Sequence, residues 1–229
     1  MKERLLAFGS AFILILCYPP GSQAASPHSP ITNEDSAYLR MITARAGKIV
    51  AALGLRDSAS FYRLRGVVAD QYRSLNSVYT ERDRKLKALS GDKAQVDSVK
   101  RLILKDADEQ VGQLHQAYLA RLGKLLTPNQ VDQIKDGMTY SILEVTYKGY
   151  QEELPNLTAD QKALILADLT EAREHAMDAG SSKEKHAWFG KYKGRINNYL
   201  SSQGIDMKKA GEEWEKRRKA AASNAGEVK

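Results

Sequence analysis

Apolar residues return at steps of three and four along most of this chain, and short Gly, Pro and Ser clusters interrupt them. The clearest run is Val96, Val99, Ile103, Ala107, Val111, Leu114, Tyr118, Leu122 and Leu125. It forms one stripe and predicts a helix of about 30 residues, close to 45 Å long. Before it, Thr32 as N-cap with Asp35 opens a helix to about Leu53, where Gly54 supplies a left-handed stop. Asp57 or Ser58 opens a second, through Phe61, Leu64, Val68, Leu75 and Val78, which ends near Leu89. Downstream, Val131, Ile134, Met138, Ile142 and Val145 continue the helical period, although MTYSILEVTYKGY (Met138–Tyr150) also alternates as a short strand would. Helix with an irregular end near Gly149 fits the stripe better than strand. Thr158 starts a helix through Leu164, Ile165, Leu169, Ala172 and Met177 that ends at Gly180. Ser181 with Glu184 starts another, which runs to about Gln203 and is closed by Gly204. A short helix carrying Trp214 and a frayed tail over 218–229 follow. These elements predict an all-α fold, a bundle of long antiparallel amphipathic helices in a single domain over 31–217.

Two of these helix starts share a motif, LTPNQ (Leu126–Gln130) and LTADQ (Leu157–Gln161). In each, the Thr can accept a backbone N–H at N3 while the Gln reaches back to the cap N–H, and Pro128 suits the first helical position. Leu126 can also staple onto Val131, whereas Lys162 denies the second copy a staple. Helix capping therefore accounts for the motif without a ligand.

The N-terminus changes the picture of where the chain works. Lys2 and Arg4, an apolar run from Leu5 to Cys17, then Pro19, Pro20, Gly21 and Ser22-Gln23-Ala24 have the order of a secretory signal peptide, with cleavage expected after Ala24. Residues 25–30 read as a flexible lead. The apolar run is shorter than the roughly 20 residues needed to span a bilayer, so no transmembrane segment is expected. A lipid anchor at Cys17, and with it association with a membrane surface, is the competing reading; Leu16 stands where that motif wants a small residue. Cleavage after Ala24 would remove the chain's one cysteine, leaving packing to supply stability. The implied compartment is the periplasm or beyond.

The net charge is +7, of which Lys2 and Arg4 less Glu3 account for +1. An exported chain rarely meets nucleic acid, so no nucleic-acid partner is expected; acidic glycans, anionic lipid or denatured polypeptide suit a mildly basic surface better. There is no nucleotide loop, zinc spacing or nucleophile elbow, and neither a cofactor nor a metal is expected. Of the four histidines (His28, His115, His175 and His186), only His175 and His186 fall on neighbouring helices.

The unusual chemistry lies in the helix from Ser182. Phe189, Tyr192, Ile196, Tyr199 and Leu200 make its buried side, and His186, Gly190, Lys193 and Asn197 share one polar stripe. Gly190 and Gly194 are poor helix formers, which implies a close approach by backbone or ligand. Trp188, Tyr192 and Tyr140 offer flat faces, and His186, Arg195, Asn197 and Asn198 offer donors and acceptors, the combination that binds sugars. Lys185, Lys193 and Arg195 would favour a carboxylated sugar. Glu174 and Asp178, at i and i+4, can point together toward His186 as an acid/base pair, or pair with Lys185 as a surface network.

DGMTY (Asp136–Tyr140), LPNLT (Leu154–Thr158), EAREHAMDAGSSKEKH (Glu171–His186) and FGKYKGRINNYL (Phe189–Leu200) carry a resemblance. The chain resembles a family of uncharacterised exported proteins of Bacteroidota described as sugar-binding and encoded among polysaccharide-degradation genes. The likeness covers most of the chain after the leader and is densest over 126–217. It implies a glycan or oligosaccharide partner. The paired LTxxQ motifs are also similar to those of exported Spy-type chaperones, which implies a holdase as the alternative. Non-catalytic glycan recognition is the leading expectation, and an enzyme acting on a uronate-containing oligosaccharide is a further alternative.

Overall fold

The computed structural model describes residues 33–226. The leader, Cys17, the 25–30 lead and the Thr32 cap lie outside the described residues. Within them the chain is helical throughout and forms one compact unit. The helices are α1 (Asn33–Ala51), α2 (Ser58–Lys87), α3 (Lys93–Gly123), α4 (Pro128–Met138), α5 (Ile142–Glu153), α6 (Ala159–Asp178), α7 (Ser182–Ser202) and α8 (Met207–Gly226). The all-α bundle predicted from periodicity is the fold. Among the described residues no helix is long and apolar enough to cross a membrane.

Local chemistry sets most boundaries. Gly54 closes the turn after α1 at φ +62°, a left-handed value that a side chain would strain. Asp57 and Asp92 cap α2 and α3 through their carboxylates. The LTxxQ echo is two complete capping boxes: Thr127 with Gln130 opens α4, and Thr158 with Gln161 opens α6. Each motif also places a fully buried isoleucine one turn on, Ile134 and Ile165.

Two cores result. One gathers Ile42, Val50, Leu64, Val68, Tyr118, Leu122, Ile134 and Met138 from α1 to α4. The other gathers Tyr150, Ile165, Leu169, Phe189, Ile196 and Leu200 from α5, α6 and α7. Helix α6 joins them, because Met177 belongs to the first core while Ile165, Leu169, Ala172 and Ala176 belong to the second.

Three elements differ from expectation. The irregular point in Met138–Tyr150 is at Thr139–Ser141, not near Gly149, which lies inside α5. Tyr140 and Ser141 both adopt positive φ, and Ser141 N–H donates to Asp136 O at 2.8 Å, which turns the chain sharply between α4 and α5. The long stripe of α3 is buried only at Ala107, Tyr118 and Leu122, while Val99 and Leu102 are exposed. Burial on α2 stops at Leu75, so the outer parts of this hairpin have each other and no third layer. Finally, α8 continues to Gly226, through the stretch expected to fray; Lys219 pairs with Glu215 at 2.8 Å and alanines follow it.

Candidate functional site

Residues of α2, α3, α6 and α7 enclose an open cleft of about 470 Å³. Its position follows from the junction of the two cores, where the end of α6 passes beside the middle of α3. Tyr79 comes from α2, Asp108, Val111, Gly112, His115 and Gln116 from α3, Glu174, His175 and Asp178 from α6, and Trp188 from α7.

Asp178 organises the floor. Its carboxylate, largely buried, accepts from His115 Nδ1 at 2.6 Å and from Gln71 Nε2 at 3.3 Å, and its carbonyl accepts the Tyr79 hydroxyl at 2.8 Å. A carboxylate offers no hydrogen, so Nδ1 carries the proton and Nε2 is left toward Glu174, 3.8 Å from its Oε2. The hydrogen bond to Asp178 holds the His115 imidazole above its ordinary pKa, with the Asp178 and Glu174 charges adding to it and burial opposing. Burial, with Asp178 nearby, pushes the Tyr79 phenol up to about 12, so it is a fixed donor. Lys135 of α4 holds Glu174 at 2.9 Å and Arg173 approaches it at 3.5 Å. On the opposite wall the His175 ring stacks on the Trp188 indole, centroids 4.4 Å apart and planes within 15°.

The residues singled out on α7 are brought together only in part. Buried Lys185 is removed from any ligand role: Nζ donates to Ala176 O and Met177 O, both at 2.9 Å, and so satisfies the carbonyl end of α6. Burial depresses its pKa to about 8. His186 does not meet Glu174 and Asp178. Its Nδ1 donates to Ser182 O at 2.7 Å, and its ring lies 5.8 Å from that of Tyr140. Tyr192 is buried under the Arg195 guanidinium, which pairs with Asp168 and, at 2.6 Å, with Glu171. Arg195 is thereby committed within the protein, and its hydrogen bond holds the Glu171 carboxyl below the usual range.

Lys193 and Asn197 face the other flank of α7 and line a shallower groove of about 400 Å³ with Tyr150, Glu153 and Trp214. There Asn197 Oδ1 accepts the Tyr150 hydroxyl at 2.6 Å. Asn198 is exposed and lines neither hollow. The close approach inferred over Gly190 and Gly194 is not made: a Cβ on either would meet open space. Beside the cleft the tight glycine is Gly180, where a Cβ would come within 2.8 Å of Tyr79; Gly137, at 2.9 Å from Ile49, is comparably tight in the first core.

The acid/base pair Glu174 and Asp178 does converge, but on His115 from a distant helix rather than on His186 or Lys185. His115 is four residues after Val111 and three before Tyr118, beside the apolar stripe. A histidine in that register was the available signal. Tyr79, Lys135 and Asp108 carried none, because their roles depend on which helix α6 passes. Among the described residues no group of three or more His, Cys, Asp or Glu side chains is placed to hold a metal ion.

The chain belongs to the family described as "Protein of unknown function (DUF3826)", matched over residues 39–220, a span that includes every residue of the cleft. No curated protein matches it.

Proposed function

We propose that this DUF3826 member is an exported, non-catalytic carbohydrate-binding protein whose sugar seat is the α3/α6/α7 cleft. The observation that carries the reading is the cleft's two-sided chemistry. Trp188 and His175, stacked on each other, give the lining aromatic surface, with the Lys191 ammonium 4.9 Å from the indole centroid, and Asp108, Gln116, His115 and Glu174 stand among the lining groups as hydrogen-bonding partners. Sugar C–H faces stack on the first kind of surface and hydroxyls pair with the second. The signal-peptide-like order of residues 1–24 supports export, and the family resemblance carried by the 126–217 segment supports an association with polysaccharide use.

For this cleft a preference for acidic glycans has no support, since Lys185 caps α6, Arg195 is neutralised by Asp168 and Glu171, and Lys193 lines the other groove. The cleft lining contains three carboxylates and neither Lys nor Arg, which suits a neutral, hydroxyl-rich sugar. Calorimetry against a panel of neutral and acidic plant and host glycans tests the reading. Binding of a neutral glycan, lost in Trp188→Ala, supports it; binding unaffected by that substitution, or no binding at all, sinks it.

One observation favours an enzymatic alternative: His115 and Glu174 face each other across 3.8 Å in the cleft, a spacing at which two groups can share a proton with substrate. Incubation with oligosaccharides and product analysis decides it. The holdase alternative has less support. The large exposed apolar side chains are spread over α1, α2, α3, α5, α6 and the turns, and no helix carries more than two.

A further inference from the structure

The gap between His115 Nε2 and Glu174 Oε2 is wide for a hydrogen bond and narrow for two. At 3.8 Å, one oxygen placed about 2.8 Å from each atom closes a triangle. Both side chains are anchored: Asp178 takes His115 Nδ1 at 2.6 Å, and Lys135 Nζ bridges the two Glu174 oxygens, Oε1 at 3.0 Å and Oε2 at 2.9 Å, which leaves Oε2 a further lone pair for the gap. Neither can turn away without giving up a partner, so the gap is a preformed two-point seat. We propose that it is a hydroxyl-recognition subsite, taking one sugar hydroxyl as acceptor from His115 and donor to Glu174, so that sugar affinity is linked to protonation of His115. The proposal rests on the carbohydrate reading above and specifies what the cleft recognises and how pH controls it.

The linkage follows from counting hydrogens. Because Nδ1 donates to Asp178, a neutral His115 presents a bare lone pair at Nε2, and Glu174 presents another acceptor beside it. A hydroxyl has one hydrogen and satisfies only one of them. The imidazolium presents Nε2–H instead, and donor plus acceptor then match one hydroxyl completely, with both bonds charge-assisted. The charged and titratable groups around His115 act in the same direction with one exception. Asp178 and Glu174 of α6 favour the cation, Lys135 of α4 opposes it, and the Tyr79 phenol of α2 stays neutral and donates to the Asp178 carbonyl. Asp108, about two helical turns before on α3, lines the same cleft and adds negative charge to it.

The test is calorimetry of the full chain with the methyl glycosides of glucose, galactose, mannose and xylose between about pH 5 and pH 9. Wild type should bind at least one, with Kd weakening about tenfold per pH unit above the pKa of His115. Glu174→Gln supplies the discriminating result. Its amide can donate into the gap, so a hydroxyl can give its own hydrogen to neutral His115, and the loss of affinity at high pH should disappear. NMR titration of the His115 ring, assigned with His115→Asn, should show the bound glycoside raising its pKa by the reciprocal amount. Binding that is independent of pH overturns the subsite and leaves the carbohydrate reading standing. A pH dependence that survives unchanged in Glu174→Gln also overturns it, because protonation would then act elsewhere. Binding of no glycoside at any pH overturns both.

Discussion

Gly180 offers a test of how the cleft is held. It follows the last turn of α6, its φ is outside the left-handed region, and the backbone therefore tolerates alanine. The space does not. A Cβ there would lie 2.8 Å from Tyr79 Cδ2 and 3.1 Å from Cε2, well inside contact distance. The Tyr79 ring is pinned by its hydroxyl bond to Asp178 O at 2.8 Å and by the Arg82 guanidinium, 4.7 Å from its centroid. Gly180→Ala must displace the ring, losing a hydrogen bond worth about 1 kcal/mol and adding about 1–3 kcal/mol of overpacking. The expected cost is thus about 2–4 kcal/mol, a fall in Tm of roughly 4–16 °C for a domain of this size. Thermal unfolding followed by circular dichroism reads it. The control is Tyr79→Ala, which removes the ring; in that background Gly180→Ala should cost close to nothing. An equal cost in both backgrounds, or none in wild type, would refute the packing argument.

Other outcomes follow from the same geometry. Gly190 and Gly194 meet open space on exposed helix, so alanine at each should stabilise by about 1 kcal/mol and leave sugar affinity unchanged; a drop in affinity would restore a ligand to that face. Thr127→Ala and Thr158→Ala should each cost about 1 kcal/mol, and the double variant their sum, since the two capping boxes share no hydrogen bond. The raised pKa of His115 sets a sign for pH dependence. Its contribution is complete below its unfolded pKa of about 6.5 and is lost as pH rises through the folded value. Urea unfolding should therefore show wild type losing its advantage over His115→Asn as pH rises, and a constant difference would contradict the Asp178 bond.

Helix positions were legible because they depend on neighbours in sequence. The 3.6-residue stripes, the caps Asp57, Thr127 and Thr158 and the left-handed Gly54 each act within one turn, and these appear in the fold. What failed was whatever depended on which helix lies against which. His115 belongs to the site because α3 passes the end of α6, and no spacing within α3 encodes that encounter. Lys185 looked like a ligand cation by type, yet in three dimensions it satisfies the carbonyls that end α6. Of the stripe His186, Gly190, Lys193 and Asn197, only Lys193 and Asn197 line the groove with Tyr150 and Trp214; His186 lies beside Tyr140 and a Cβ on Gly190 would meet open space, while Trp188 and Tyr192 turn toward α6. A helical wheel gives angles around one axis but not what stands opposite each angle. The corner at Thr139–Ser141 was missed because two left-handed non-glycine residues have no sequence signature.

The sugar seat can be located directly because the chain has two tryptophans, one in each hollow: Trp188 in the α3/α6/α7 cleft and Trp214 in the α5/α7/α8 groove. Their indole N–H groups give two signals in a ¹H–¹⁵N spectrum, assigned by Trp188→Phe. Titration with the neutral oligosaccharides of the glycan panel should shift the Trp188 signal saturably and leave that of Trp214 in place. A shift confined to Trp214, or no shift of either, would contradict the account.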